Sequence, residues 1–115
     1  MNCIPAAKQS PRLENGVVKW YEGDTFRLQL VLDIVDQDGE PVVIGENDTV
    51  TVSFQNDALT TVKEFTFTEV ENNTVTMEFT SEVTALFPKG RYTYDVHYTG
   101  ANRTTVCNDN KAEVE

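Results

Sequence analysis

The stretch Phe26-Arg27-Leu28-Gln29-Leu30-Val31-Leu32-Asp33-Ile34-Val35 decides how this chain is to be read. Phe26, Leu28, Leu30, Leu32 and Ile34 share one parity, and Arg27, Gln29, Val31, Asp33 and Val35 share the other. Successive side chains of a strand point to opposite faces, so five matches to period two predict a half-buried strand with the first set inward. Asp36-Gln37-Asp38-Gly39-Glu40-Pro41 ends it, with Gly39 suited to a left-handed turn position. Val31 and Val35 are then the anomaly: two apolar residues on the face predicted to meet solvent.

The same period recurs outward in both directions. Upstream, Val18 and Trp20 share a parity before the turn at Glu22-Gly23-Asp24. Downstream, Val50, Val52 and Phe54 alternate, followed by Phe65 and Phe67 on a strand from about Val62 to Val70. Glu71-Asn72-Asn73 reads as a hairpin, with Val75, Met77 and Phe79 on its return strand. Ser81 to Leu86 reads as a turn or two of helix, capped by Thr80 or Ser81 and stopped by Phe87-Pro88-Lys89-Gly90. Tyr92, Tyr94, Val96 and Tyr98 mark another strand. Thr104 to Cys107 and Ala112 to Val114 make two short ones, with Asn108-Asp109-Asn110 between them.

Composition agrees. Val, Ile and Thr supply 33 of 115 residues and Ala only six, which suits a pleated surface better than a helix. A chain of this length can bury about two-thirds of its unfolded surface, enough for one core. Residues 1–15 hold Pro5 and Pro11 and little periodicity, and read as an N-terminal arm; residues 16–115 read as one β-sandwich domain. The predicted core includes Leu28, Leu30, Leu32, Val52, Phe54, Phe67, Met77, Phe79, Tyr92, Tyr94 and Val96.

The expected fold is all-β: an immunoglobulin-like β-sandwich of about seven to nine antiparallel strands with one short helical turn, a barrel being the lesser option. A turn of helix followed by Gly90-Arg91-Tyr92-Thr93-Tyr94 resembles the tyrosine corner of such sandwiches. The Tyr92 hydroxyl should then bond backbone between Ser81 and Pro88. Tyr94 stands where antibody domains carry a cysteine, which excludes their inter-sheet disulfide.

Charge narrows the partners. Nine Lys+Arg against nineteen Asp+Glu give a formal charge of −10, which repels nucleic-acid phosphates and anionic lipid headgroups. No apolar run reaches the length of a membrane span. Met1 to Lys8 lacks the basic and apolar regions of a signal peptide, so the expectation is either a protein that stays inside the cell that makes it or a leader missing from this sequence. Cys3 and Cys107 are too few for a disulfide scaffold, and two unpaired thiols are preferred over a bridge.

Little in the chain suggests catalysis. The single histidine, His97, reads as a solvated strand-face residue beside Asp95; pairing it as a base with Cys107 is the sharper and weaker alternative. No Cys-x-x-Cys or His-x-x-x-His pair suggests zinc. Asp33, Asp36, Asp38 and Glu40 surround Gly39, but the first ligand of a calcium loop would fall on Ile34 and its closing Glu on Gly45. Glu69 and Glu71 read as solvated turn flanks. Sequons at Asn47, Asn72 and Asn102 all fall at predicted turns and carry little weight without a secretion signal. The expectation is no catalytic, cofactor or metal residues, no cofactor, and an interaction surface at Val31 and Val35.

Several motifs in order resemble the N-terminal domain family of the phage baseplate upper protein. They are Tyr21-Glu22-Gly23-Asp24-Thr25-Phe26 leading into Leu28, Leu30 and Leu32; the Asp36 to Val42 turn; Val50-Thr51-Val52-Ser53-Phe54; Thr80 to Leu86; and Lys89 to Val96. The resemblance covers roughly residues 16–115, and order and spacing carry it rather than any one motif. It departs in two places: Cys107-Asn108-Asp109-Asn110 replaces a glycine-containing turn, and no stem or receptor-binding region follows Glu115. The resemblance implies an immunoglobulin-like sandwich that docks into a siphophage tail or baseplate without catalysis. Its partners would be other virion or tail proteins or further copies of itself, and its place the virion, after synthesis in the bacterial cytoplasm. The competing expectation is a bacterial cell-surface adhesion or carbohydrate-binding module.

Overall fold

The computed structural model describes residues 11–35, 38–45, 47–100 and 104–115. These form two β-sheets around one core. In chain order the elements are β1 (Arg12–Glu14), β2 (Val17–Trp20), β3 (Phe26–Val31), β4 (Thr49–Asn56), β5 (Thr61–Phe67), β6 (Thr74–Phe79), α1 (Ser81–Thr84), β7 (Gly90–Thr99) and β8 (Thr104–Val114). Six strands make the larger sheet in the order β1-β2-β8-β7-β4-β5, and β3 pairs with β6 alone in the smaller one. The protein is all-β, as its composition predicts.

Alternation sets the faces. In the register of β4 against β7, Val50, Val52 and Phe54 stand opposite Tyr98, Val96 and Tyr94, and all six are buried. Thr51, Ser53, Asp95 and His97 occupy the other parity, away from the core. Leu28, Val75, Met77 and Phe79 close the core from the smaller sheet, with Leu30 and Leu32 packed half-buried against it. Every predicted core residue is buried or packed on the core.

An aromatic cluster fills its middle. Trp20 and Phe87 are fully buried, 5.6 Å apart between ring centroids and edge to face, with Phe54 and Phe79 packed on both. Edge-to-face pairs of this kind add about 0.5–1.5 kcal/mol beyond the area they bury. Phe87 follows the short α1, which ends within one turn. The Thr80 hydroxyl caps the helix by accepting from Val83 N, and Phe87 N then donates to Thr84 O as the chain turns inward.

Several expectations are corrected. The strands are not all antiparallel, because β2 runs parallel to β8. Residues 12–14, read as part of the arm, form β1 against β2. Asn15 and Gly16 lie at φ 53° and 80°, the left-handed pair of a two-residue hairpin, so the sheet starts ahead of residue 16. Glu71-Asn72-Asn73 does not join a hairpin: β5 pairs with β4 while β6 crosses to the other sheet and pairs with β3. The long strand ends at Val31 rather than near Ile34. The two predicted C-terminal strands are one strand, β8, which absorbs residues 108–110 in a bulge. The remainder of the predicted arm, residues 1–10, lies outside the described residues.

Candidate functional surface

Val31 and Val35 lie where the sequence predicts, on the outer parity of β3 and its continuation. Val31 is 73% exposed and Val35 58%. Val31 stands opposite Thr74 of β6, and Val35 forms an isolated bridge to Pro41. Val43, in the segment that follows Pro41, is 81% exposed as well. Single exposed valines are ordinary, and a pair on the outer parity of one strand and its continuation is less so.

Between residues 30–35 and the strands β7 and β8 runs a groove of about 410 Å³. Residues 30–35 line it on one side, Val31 and Val35 among them; Tyr94, Val96 and Tyr98 of β7 and Cys107 and Asn110 of β8 line it on the other. Among the described residues a two-stranded sheet faces a six-stranded one, and β3 has a hydrogen-bonded neighbour on the β6 side only. Such an edge leaves backbone N–H and C=O groups unpaired.

A β-bulge shapes the groove's wall. Tyr94 is opposite Asn110 and Val96 opposite Cys107, so Asp95 alone faces Asn108 and Asp109. One extra residue locally breaks the ladder. The Asn110 side chain repairs it, its Nδ2 donating to Tyr94 O and Cys107 O, each at 3.1 Å. The bulge therefore brings both Cys107 and Asn110 to the groove side, and the Cys107 Sγ lies 3.5 Å from Asn110 Nδ2. Burial pushes the Tyr94 hydroxyl above the usual tyrosine range, and the neighbouring Cys107 adds to the shift.

Two polar clamps hold the ends of this region. Asp48 Oδ2 accepts from Gly45 N at 2.8 Å and from the Tyr98 hydroxyl at 2.7 Å. These bonds, the backbone one foremost, hold the Asp48 carboxyl below its ordinary value. Asn73 clamps the other side, bonding Leu32, Val42 and Ile44 at once.

Catalytic alternatives gain no geometry. His97 is exposed on the outer face of β7, whereas Cys107 stands opposite Val96 on the inner face, so the sheet separates them. Cys107 is a free, exposed thiol; Cys3 lies outside the described residues. No group of three metal-ligating side chains occurs among the described residues, and Asp36 of the acidic turn is outside them. Glu69 and Glu71 are exposed on the crossover between sheets, as are the sequon residues Asn47 and Asn72; Asn102 is outside the described residues.

Sequence reasoning located Val31 and Val35 but missed the groove. Tyr94, Val96 and Tyr98 were legible as inward-facing, but nothing in period two says that their inner face is left partly uncovered. The signal for Cys107 and Asn110 is weaker still, since a bulge reads as a turn. No helix among the described residues is long and apolar enough to cross a membrane. No protein-family model matches the chain, and no curated protein matches it at a significant level.

Proposed function

We propose that this chain is a non-catalytic, immunoglobulin-like docking module of a phage or prophage tail or baseplate. On this reading it binds other virion proteins, or further copies of itself, through the apolar face carrying Val31 and Val35. The observation that carries the reading is the exposure of Val31 and Val35 on the outer side of the smaller sheet. The motif order through Tyr21 to Val96 supports the assignment to a tail. One feature supports the immunoglobulin-like topology: the Tyr92 hydroxyl donates to Pro88 O at 2.5 Å beside the helical turn, as in a tyrosine corner.

The carbohydrate-binding alternative would use exposed aromatic rings as sugar platforms. Every Phe, Tyr and Trp here is buried or half-buried. Protein docking through aliphatic area is the better match.

The test is to band particles from the producing strain on a density gradient and quantify the chain by mass spectrometry. Co-migration with tail proteins at constant ratio is expected. Recovery only in the soluble or cell-envelope fraction overturns the proposal. A second arm carries Val31→Asp and Val35→Asp together. The doubly substituted chain should fold, because both positions face solvent, and should fail to enter particles.

A further inference from the structure

We infer that Asn15 is a site of self-modification: the Gly16 backbone nitrogen displaces ammonia from the Asn15 carboxamide, and the isoaspartate formed when water reopens the ring releases β1 from the sheet.

Access comes first. Asn15 and Gly16 form the two-residue turn between Glu14 and Val17, and both are exposed. Among the described residues, neither the Asn15 carboxamide nor Gly16 N makes a hydrogen bond. No atom lies within 4 Å of where a Gly16 side chain would begin, so nothing hinders its nitrogen. No other asparagine in the chain is followed by glycine. Asn47 and Asn72 are exposed, but the side chains of Asp48 and Asn73 crowd the nitrogen that would attack them. Asn73 spends its carboxamide on Leu32, Val42 and Ile44, Asn110 on Tyr94 and Cys107, and Asn56 on Ala58 and Thr60.

The chemistry needs water alone. Gly16 N bonds to Asn15 Cγ, the Cγ–Nδ2 bond breaks, and the Gly16 proton leaves with that nitrogen as ammonia. Water then opens the five-membered imide. Opening at Cγ leaves aspartate on an unchanged backbone. Opening at the Asn15 carbonyl carbon leaves isoaspartate, with the chain running through Cβ and Cγ.

The fold couples this turn to the anchoring of β1. Closing the imide rotates the backbone out of the left-handed pair at φ 53° and 80°, so β1 must lift from β2. Lifting is cheap, because none of its three side chains is buried and Leu13 is 70% exposed. Arg12 supplies the main hold: it pairs with Glu14 at 3.3 Å and with Glu115, and its guanidinium lies 5.1 Å from the centre of the Tyr21 ring. Isoaspartate adds one backbone atom to a loop whose twist fits the flanking strands with two ordinary residues. Arg12 can then no longer stand opposite Lys19 and reach Glu115 together. Arg12 therefore slows the modification, and the modification withdraws Arg12.

The test incubates the full chain at mildly alkaline pH in heavy-oxygen water and separates the asparagine, aspartate and isoaspartate peptides by chromatography and mass spectrometry. Asn15 should convert at least tenfold faster than Asn47 or Asn72 and take up one solvent oxygen. Arg12→Gln, which keeps the turn and weakens the hold, should convert Asn15 at least threefold faster than the parent. Hydrogen exchange on the isolated isoaspartate form should show lost protection at the Val17 and Lys19 amides, which the hairpin register turns toward β1, with β4 and β7 unchanged. Conversion of Asn15 no faster than of Asn72, an unchanged rate in Arg12→Gln, or full protection of Val17 and Lys19 in the isoaspartate form overturns the inference.

Discussion

Asn73 holds Leu32 by both of its backbone groups. Leu32 N donates to Asn73 O at 2.7 Å, and Asn73 Nδ2 donates back to Leu32 O at 3.1 Å. The same side chain donates to Val42 O at 2.7 Å and accepts from Ile44 N at 2.9 Å. One carboxamide thus replaces the ladder that β3 loses after Val31, tying the end of that strand and the 42–44 segment to the turn before β6. The residue sits at φ 52°, which asparagine tolerates better than most.

Replacing Asn73 should therefore cost more than its half-buried position suggests. Asn73→Gly keeps the left-handed backbone but removes three side-chain bonds, each worth about 0.5–1.5 kcal/mol net. A loss of roughly 2–4 kcal/mol in urea unfolding is expected. Asn73→Asp should be at least as damaging, because a carboxylate would face the Leu32 and Val42 carbonyl oxygens. A loss below 0.5 kcal/mol for both variants would show that the clamp is replaceable by water.

The Tyr92 hydroxyl predicts a smaller effect. Tyr92→Phe leaves the ring on Phe87 and removes only the bond to Pro88 O, so a loss of about 0.5–1.5 kcal/mol is expected. Burial foremost, with the carboxylates of Glu22 and Asp57, raises this hydroxyl above its ordinary value of 10. A raised folded value means that the stabilisation is intact below the unfolded value. It is lost as pH rises through the folded one. Unfolding midpoints of wild type and Tyr92→Phe should converge at strongly alkaline pH.

Asp48 predicts the opposite sign. Its folded value lies below the ordinary aspartate value of 3.8, so its contribution is present above that value and disappears as pH falls through the folded one. Asp48→Asn should destabilise the protein at pH 7 and differ little from wild type at pH 2. A pH-independent difference between the two would locate the effect in the Gly45 turn geometry rather than in the charge.

Leu28 and Leu30 separate burial from parity. Both face inward, but Leu28 is buried against Met77 across the pair while Leu30 lines the open groove. Leu28→Ala should cost about 2–5 kcal/mol, and Leu30→Ala less, because the groove already lacks neighbours on one side. Thermal or urea unfolding of the two variants side by side checks the order.

The alternation of Leu28, of Val50, Val52 and Phe54, and of Tyr92 through Tyr98 was enough to assign faces, because which way a strand residue points is a local property of the pleat. Asn15-Gly16 is an equally local signal for the β1–β2 hairpin, and reading residues 1–15 as an arm passed over it. Which strands pair is not local. Nothing between Phe67 and Thr74 says that β6 crosses to meet β3, and nothing near Val18 says that β2 runs parallel to β8. Those pairings were settled by packing Trp20, Phe54, Phe79 and Phe87, residues far apart in sequence, into one aromatic cluster. The groove follows from the same cause: among the described residues, a six-stranded sheet packed on a two-stranded one leaves part of its inner face uncovered, and the β8 bulge opposite Asp95 turns Cys107 and Asn110 toward it. Val31 and Val35 were visible beforehand because side-chain parity alone exposes them. The groove beside them was not, because an unfilled space between two sheets is a property of how those sheets meet and belongs to no single stretch of chain.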